Sequence, residues 1–599
     1  MRKTKETCAN KYRESDLKSD RYIMTKYTKK SISITTALVT PKNCKEILHF
    51  VKQNKQLELV EVLNAYTTVP SCPQAFLDKF WKYILQHDAI KGMHIHNTNF
   101  VPSKSKCGRR RGVTSGVSLT ELSFTFCTVQ LPCVKWLLAN FAHDTCLRKL
   151  VLSDNGMCDK EIEALCVLFQ TNRSITHLDI SNNQFGLDAV ATVCCGLLAA
   201  TNTNILTTLV IESNKIQDAG AVLLADALCT NTRLCILNVE DNGIGPKGIA
   251  CLAEMLVQNT TLDMLSLAKN SSNRDAQTQL HRALLLNTRL RSLDVSGLHD
   301  DTEAPIEIAA SDGSVVVLHP SAVDTVALMS ACRCIQYLRL DNIHTSMASM
   351  QQIQGQLAQN TMLQRVSFVA CGLTLAAVEV LAKGVSTNRS IRQLDLGDNR
   401  LCECASIPHH ARELRASFWD KLSRNTTLEV LCLRGNSLGT RSMWHAAEFV
   451  AQHTSLRVLD VADNGIGSIG ALVMLHALAK NKSILQLDMT QNTNFPLSYS
   501  RLLAALIRRR ICAQETATLH VRGIALFVTA RELRQFEATT SHRSMQITKH
   551  DLVTQWTEDC QKRKEAFLLL TRPRLCTSLL HTLCTDTLRI ILSFDTLYS

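Results

Sequence analysis

The nine residues Leu147-Arg-Lys-Leu150-Val-Leu152-Ser-Asp-Asn155 decide the fold. Leucines alternating at Leu150 and Leu152 read as a short strand with one buried face. Asn155 carries an amide able to bond backbone groups where the chain then turns. The same spacing returns as Ile175, Leu178, Ile180 and Asn183, and again from Leu206, Leu234 and Leu262 to Asn214, Asn242 and Asn270. Later copies run from Ile391, Leu428, Leu456 and Ile484 to Asn399, Asn436, Asn464 and Asn492. Less regular copies begin at Leu119, Leu290, Ile335 and Leu363, which makes thirteen repeats with nine of the twelve steps equal to 28 residues. So long and regular a period means a solenoid, in which each repeat buries its apolar face against its neighbours. The asparagines would then stack as a ladder that satisfies backbone lacking a sheet partner. Cys127 and Cys371 take the asparagine place in two repeats.

After the turn the period becomes helical. Ile216, Gly220, Leu223, Leu224 and Leu228 fall on one helix face, and Ile244, Gly248, Leu252 and Leu256 repeat the arrangement. Each helix ends at a second asparagine three residues before the next strand motif: Asn172, Asn231, Asn259, Asn287, Asn360, Asn388, Asn425 and Asn481. The expectation is that this asparagine closes the helix in the left-handed conformation. Five of the six glycosylation sequons, at Asn172, Asn259, Asn388, Asn425 and Asn481, fall on this place, and the sixth falls on ladder residue Asn270. They read as caps before they read as acceptors.

Long repeats that pair a strand with a full helix resemble the ribonuclease-inhibitor-like leucine-rich repeats. That group includes ribonuclease inhibitor, the GTPase-activating protein for Ran and the sensor ends of nucleotide-binding immune receptors. The resemblance covers residues 119–495, with weaker repeats near Leu57 and Ile90. It implies an α/β solenoid shaped as a horseshoe, with parallel strands on the concave face and helices on the convex face. It implies no single function, because the scaffold serves many partners.

The regions around the repeats divide by charge. Residues 1–113 hold 22 Lys/Arg against 9 Asp/Glu, residues 114–500 hold 29 against 35, and residues 501–599 hold 15 against 9. A basic head and tail therefore flank an acidic middle. The expected organisation is a disordered basic arm at 1–35, an N-terminal helical cap with weak repeats and a basic loop at 36–118, the solenoid at 119–500, and a C-terminal helical cap at 501–599 with a last strand at Leu519–Val521. Longer steps leave inserts at 299–334 and 400–412, expected as edge loops. The polar start and the absence of long apolar runs imply neither export signal nor membrane span, so the expected compartment is the cytoplasm, with the nucleus as the alternative. In that setting the 24 scattered cysteines read as small apolar thiols.

Strand geometry places the residues between the buried leucines on the concave face. From Leu147 onward these include Asp154, Asp179, Glu212, Glu240, Asp241, Asp294, Asp341, Asp395, Asp398, Asp460, Asp463 and Asp488, against Lys149, Lys269, Arg339, Arg365 and Arg434. Tyr337 is the one aromatic anchor this reading finds there, while Trp136, Trp419 and Trp444 fall in helices as packing residues. The expectation is a non-catalytic scaffold or adaptor whose acidic concave face holds a basic protein. Nucleic acid and membrane are not the expected partners. The basic clusters Lys104–Arg111 and Arg508–Arg510 lack interleaved aromatics and read as solvated loops.

No cofactor or catalytic group is expected: Walker A, G-x-S-x-G and H-E-x-x-H patterns are absent. Cys402, Cys404, His409 and His410 crowd together, but their spacing does not make a zinc knuckle. Two rival functions stay open. Leu583–Phe594 looks like the core helix of an F-box, which would make the chain a ubiquitin-ligase substrate receptor; without the leading proline, an amphipathic capping helix is the preferred reading. A GTPase-activating protein like the Ran regulator is the other, although that family carries an acidic tail where this one is basic.

Overall fold

Alternation at Leu150 and Leu152 becomes the strand Lys149–Val151, with both leucines fully buried and Lys149 and Val151 half exposed. We describe a computed structural model of the chain, covering residues 26–27, 30–35, 44–63, 74–97, 118–198, 205–299, 306–309, 315–318, 325–399, 401–402, 416–492 and 520–522. It divides into two compact units. The first holds the residues up to 308 with 316–345 and 362–366; the second holds 309–315, 346–361 and the residues from 367 onward.

In the first unit, strands Ser31–Thr35, Leu59–Leu63, Gly92–His96, Glu121–Thr125, Lys149–Val151 and His177–Asp179 pair in parallel, each with the next. The ladder continues in parallel through Thr208–Val210, Ile236–Asn238, Met264–Ser266, Ser292–Asp294 and Tyr337–Arg339. Leucine pairs with leucine throughout its regular part, as in Leu178↔Leu209 and Leu265↔Leu293. A helix follows most strands, for example Asp159–Thr171, Gln217–Thr230 and Pro246–Gln258. In the second unit, Gln393–Asp395, Val430–Cys432, Val458–Asp460, Gln486–Asp488 and His520–Arg522 pair in parallel in the same way. Its helices include Leu375–Thr387, Gly439–Gln452 and Ser468–Lys480. Both units are thus α/β leucine-rich-repeat solenoid.

The ladder begins earlier than the repeat pattern shows. Ser31–Thr35, within the segment expected to be a basic arm, is a parallel strand with Ile32 and Ile34 buried, and Lys26–Tyr27 pairs with it antiparallel. The weak repeats near Leu57 and Ile90 are full members, their strands at Leu59–Leu63 and Gly92–His96. The expected last strand at Leu519–Val521 is found at His520–Arg522. The basic loop at 101–116, Cys404, His409, His410 and the segment Leu583–Phe594 lie outside the described residues.

Two asparagine ladders hold the repeats together. Asn270 Oδ1 accepts from the backbone N–H of Asn242 at 3.1 Å and of Ile244 at 3.0 Å. Its Nδ2 donates to the carbonyls of Val239, Leu267 and Ala268 at 3.0–3.1 Å. One buried amide thereby satisfies backbone groups of two repeats. Cys127 replaces the amide with a thiol that donates to the carbonyls of Ile95 and Thr125, while its own N–H donates to Asn155 Oδ1.

The second ladder corrects the reading of the helix ends. Asn172 is not left-handed; its φ and ψ are −72° and 137°, and Asn231, Asn259, Asn287, Asn360, Asn388 and Asn481 are likewise extended. Its side chain does the closing instead. Oδ1 accepts from the N–H groups of Ser174 and Ile175, and Nδ2 donates across the repeat boundary to the carbonyl of Phe141 at 2.7 Å. The sequon amides at Asn172, Asn259, Asn270, Asn388, Asn425 and Asn481 are buried donors in the fold.

The helices lean closely on one another. Asp218 Oδ1 accepts from Gly245 N and Gly248 N at 2.8 and 2.7 Å, so one helix caps the start of the next. A Cβ on Gly248 would stand 2.8 Å from both Ala221 Cβ and that carboxylate oxygen, which is why the helix face carries glycine there.

Candidate functional site

Numbering each repeat from its first leucine, the strand-face positions are three, five, seven and eight. The structure gives these positions different duties. Position eight is left-handed in every one of the thirteen repeats, from Phe126 (φ 56°) through Asp154, Asp241, Asp398 and Asp463 to Gln491 (φ 57°). Asp, Asn and Gly tolerate that backbone best, so the aspartates here have a conformational reason to be present.

Position five has another reason. Asp179 Oδ1 accepts from Ser181 N at 3.0 Å and Ser181 Oγ at 2.6 Å. Asp294 does the same with Ser296, and Asp488 with Thr490. Asp395 accepts from Gly397 N and Asp460 from Ala462 N. These are Asx turns that lead the chain off the strand. Asn238 fills the same place without charge, accepting from Glu240 N at 2.9 Å.

Two of the acids are less exposed than strand geometry alone implies: Asp341 is 2% exposed and Asp488 8%. Arg339 lies over Asp341 at 2.5 Å and reaches Asp294 at 3.3 Å, so the carboxylates hold its guanidinium firmly charged against burial. Tyr337, half buried, is covered by the Arg365 guanidinium at 4.8 Å.

Glu212 and Glu240, both at position seven of adjacent repeats, do no such backbone work. Glu212 Oε2 accepts from Asn238 Nδ2 at 3.0 Å, and Glu240 pairs with Lys269 at 2.8 Å. Burial and the neighbouring Glu240 charge together raise the Glu212 carboxyl above its ordinary range, outweighing the Asn238 bond and Lys269. In the second unit burial, and then Asp488, raises Asp460; the half-buried Cys432 thiol lies 3.7 Å from Asp460 and is kept protonated by burial and by Asp395.

One strand-face aromatic escapes a reading that begins at Leu147. Phe126 occupies position eight of the Leu119 repeat and is 54% exposed. Its signal was present in the sequence, seven residues after Leu119, but the repeat is irregular and its asparagine is replaced by Cys127.

The described residues contain no group of three or more His, Cys, Asp and Glu arranged to hold a metal ion, and no helix among them is long and apolar enough to cross a membrane. Eight of the described cysteines are buried.

Residues 171–194, 204–225, 230–253 and 452–475 match the family model described as Leucine Rich repeat. A Protein phosphatase 1 regulatory subunit 37 homolog from Caenorhabditis elegans is 33% identical over 98 residues, which is 16% of this chain and 10% of that protein. The chain thus spans about a tenth of the curated relative's length. Among solved structures, the leiomodin-1 actin-binding site 2 is 24% identical over 18% of this chain and 61% of that one, with a TM-score of 0.16. The yeast Rad7 and Elc1 complex is 16% identical over 72% and 85%, with a TM-score of 0.37.

Proposed function

We propose that this chain of leucine-rich repeats is a non-catalytic scaffold that holds a basic protein on its strand face. The observation that supports this most directly is the pair Glu212 and Glu240. Like charges placed side by side cost stability, and these two repay none of it through turns or caps. A positively charged partner would relieve that repulsion and be steered by it. Asp241, which accepts from Ser213 Oγ, extends the same negative patch. The 13-residue helices Asp159–Thr171 and Pro246–Gln258 support placing the repeats in the ribonuclease-inhibitor-like group. A phosphatase regulatory subunit among the relatives is consistent with a chain that acts by binding.

The test is proximity labelling in the native cell with mass spectrometry, comparing the natural chain with the double variant E212K/E240K. The expected result is a set of basic proteins lost from the variant and, with purified partner, affinity that falls steeply with salt. An unchanged labelled set would sink the proposal.

A further inference from the structure

Phe126 is strained and exposed at once. Its φ of 56° is shared by Asp, Asn, Ser, Gly, Lys, Ala and Gln at the same position of the other repeats, residues smaller or more flexible than phenylalanine. A bulky side chain in this region is a genuine outlier, and such strain persists where something else demands the residue. Packing does not demand it. The ring is 54% exposed, the only aromatic among the exposed large hydrophobic residues described.

Its surroundings point to a cation. His96 packs on the ring at 5.3 Å between centroids and 80° between planes, and is itself fixed by a 2.8 Å hydrogen bond between its Nδ1 and Thr125 Oγ1. Asp154 holds the same position in the next repeat; its carboxyl is partly buried, hydrogen-bonds the Ser153 side chain, feels the charges of Asp179 and His96, and forms no ion pair among the described residues. The nearby Lys149 does not neutralise it, being paired with Glu121 at 2.7 Å. An aromatic ring beside a carboxylate that has no ion pair among the described residues is the combination that receives a planar cation.

We propose that Phe126 and Asp154 form a seat for an arginine side chain of a partner protein. The guanidinium stacks on the uncovered part of the ring and pairs with Asp154, with Asp179 as the next carboxylate along the face. Arginine is favoured over lysine because its plane stacks while its N–H groups reach the carboxylate. Phosphate-bearing nucleic acid is repelled by the same acids. The inference rests on the reading that the strand face holds a basic protein, and adds which residue of that partner is anchored.

The test uses the full chain and two fluorescein-labelled peptides, one of alternating Gly and Arg and one of alternating Gly and Lys, followed by fluorescence anisotropy at low salt. The arginine peptide should bind about fivefold more tightly than the lysine peptide. The F126N variant, whose asparagine accepts the left-handed backbone, should erase that preference while keeping or raising the melting temperature. D154N should weaken both peptides. E212K/E240K should weaken both and leave the preference for arginine intact. A preference that survives F126N, or a melting temperature that falls in F126N, overturns the seat. If E212K/E240K changes nothing while F126N erases the preference, the seat stands and the glutamate-based scaffold reading fails.

Discussion

Asp179 and Glu212 stand on neighbouring repeats and add the same charge to the strand face, yet they are there for different reasons. The Asp179 carboxylate is occupied by Ser181, turning the chain off its strand. Among the described residues, the Glu212 carboxylate hydrogen-bonds only the Asn238 side chain, and it suffers from Glu240. A row of acids is therefore not a measure of acidity chosen for a partner. Position five and position eight aspartates are accounted for by backbone chemistry, and only the position seven glutamates are surplus to it.

The largest effect expected comes from neither row but from the ladder behind them. Asn436 is fully buried, donates to the carbonyls of Leu396, Leu433 and Arg434, and accepts from Asn399 N. The substitution N436A strands backbone groups of two repeats and should cost about 4 kcal/mol. Urea unfolding followed by circular dichroism reads it. A loss below about 1 kcal/mol would mean water replaces the amide and the ladder does not bind the repeats.

An intermediate effect separates geometry from charge at position five. D179A removes the acceptor for Ser181 and should destabilise by about 1 kcal/mol. D179N keeps the acceptor, as Asn238 does naturally, and should stay within about 0.5 kcal/mol of the parent. Equal losses from both variants would show that charge matters at this position and would erase the distinction between the two rows.

The sequence makes the repeat legible because burial is periodic: leucines and the ladder asparagines recur every 28 residues and have one physical explanation each. The helix-closing asparagines are ambiguous in sequence because asparagine has two talents, tolerance of positive φ and a short amide, and spacing does not tell which is in use. The positive φ lies at position eight, where the run of Asp154, Asn182, Asp241 and Asn342 could have announced it. The acids were countable but not separable by charge alone. The patterns Asp179-x-Ser181, Asp294-x-Ser296 and Asp488-x-Thr490 did carry the Asx-turn signature. Ser31–Thr35 escaped because a single short strand before the period begins has no neighbour in the pattern to be compared with.

The smallest effect expected is a difference of sign with pH. The Glu212 carboxyl is raised above its ordinary value of 4.5 by burial and by Glu240, so the folded chain takes that proton before the unfolded one. Its charge is a penalty in full above the folded-state pKa. The penalty is relieved as pH falls through that pKa and is gone below 4.5. Glu121 behaves oppositely: burial raises its carboxyl, but the Lys149 bond and charge, with His94, outweigh burial and leave it below 4.5. Its contribution is present above 4.5 and lost as pH falls through the folded value. Measured as stability relative to the parent from pH 7 to pH 3.5, E212Q should lose its advantage on acidification while E121Q should lose its disadvantage. Parallel curves for the two variants would mean that Glu212 is no more burdened by its neighbour than an ordinary paired carboxylate. The claim that position seven carries surplus charge would then fall with it.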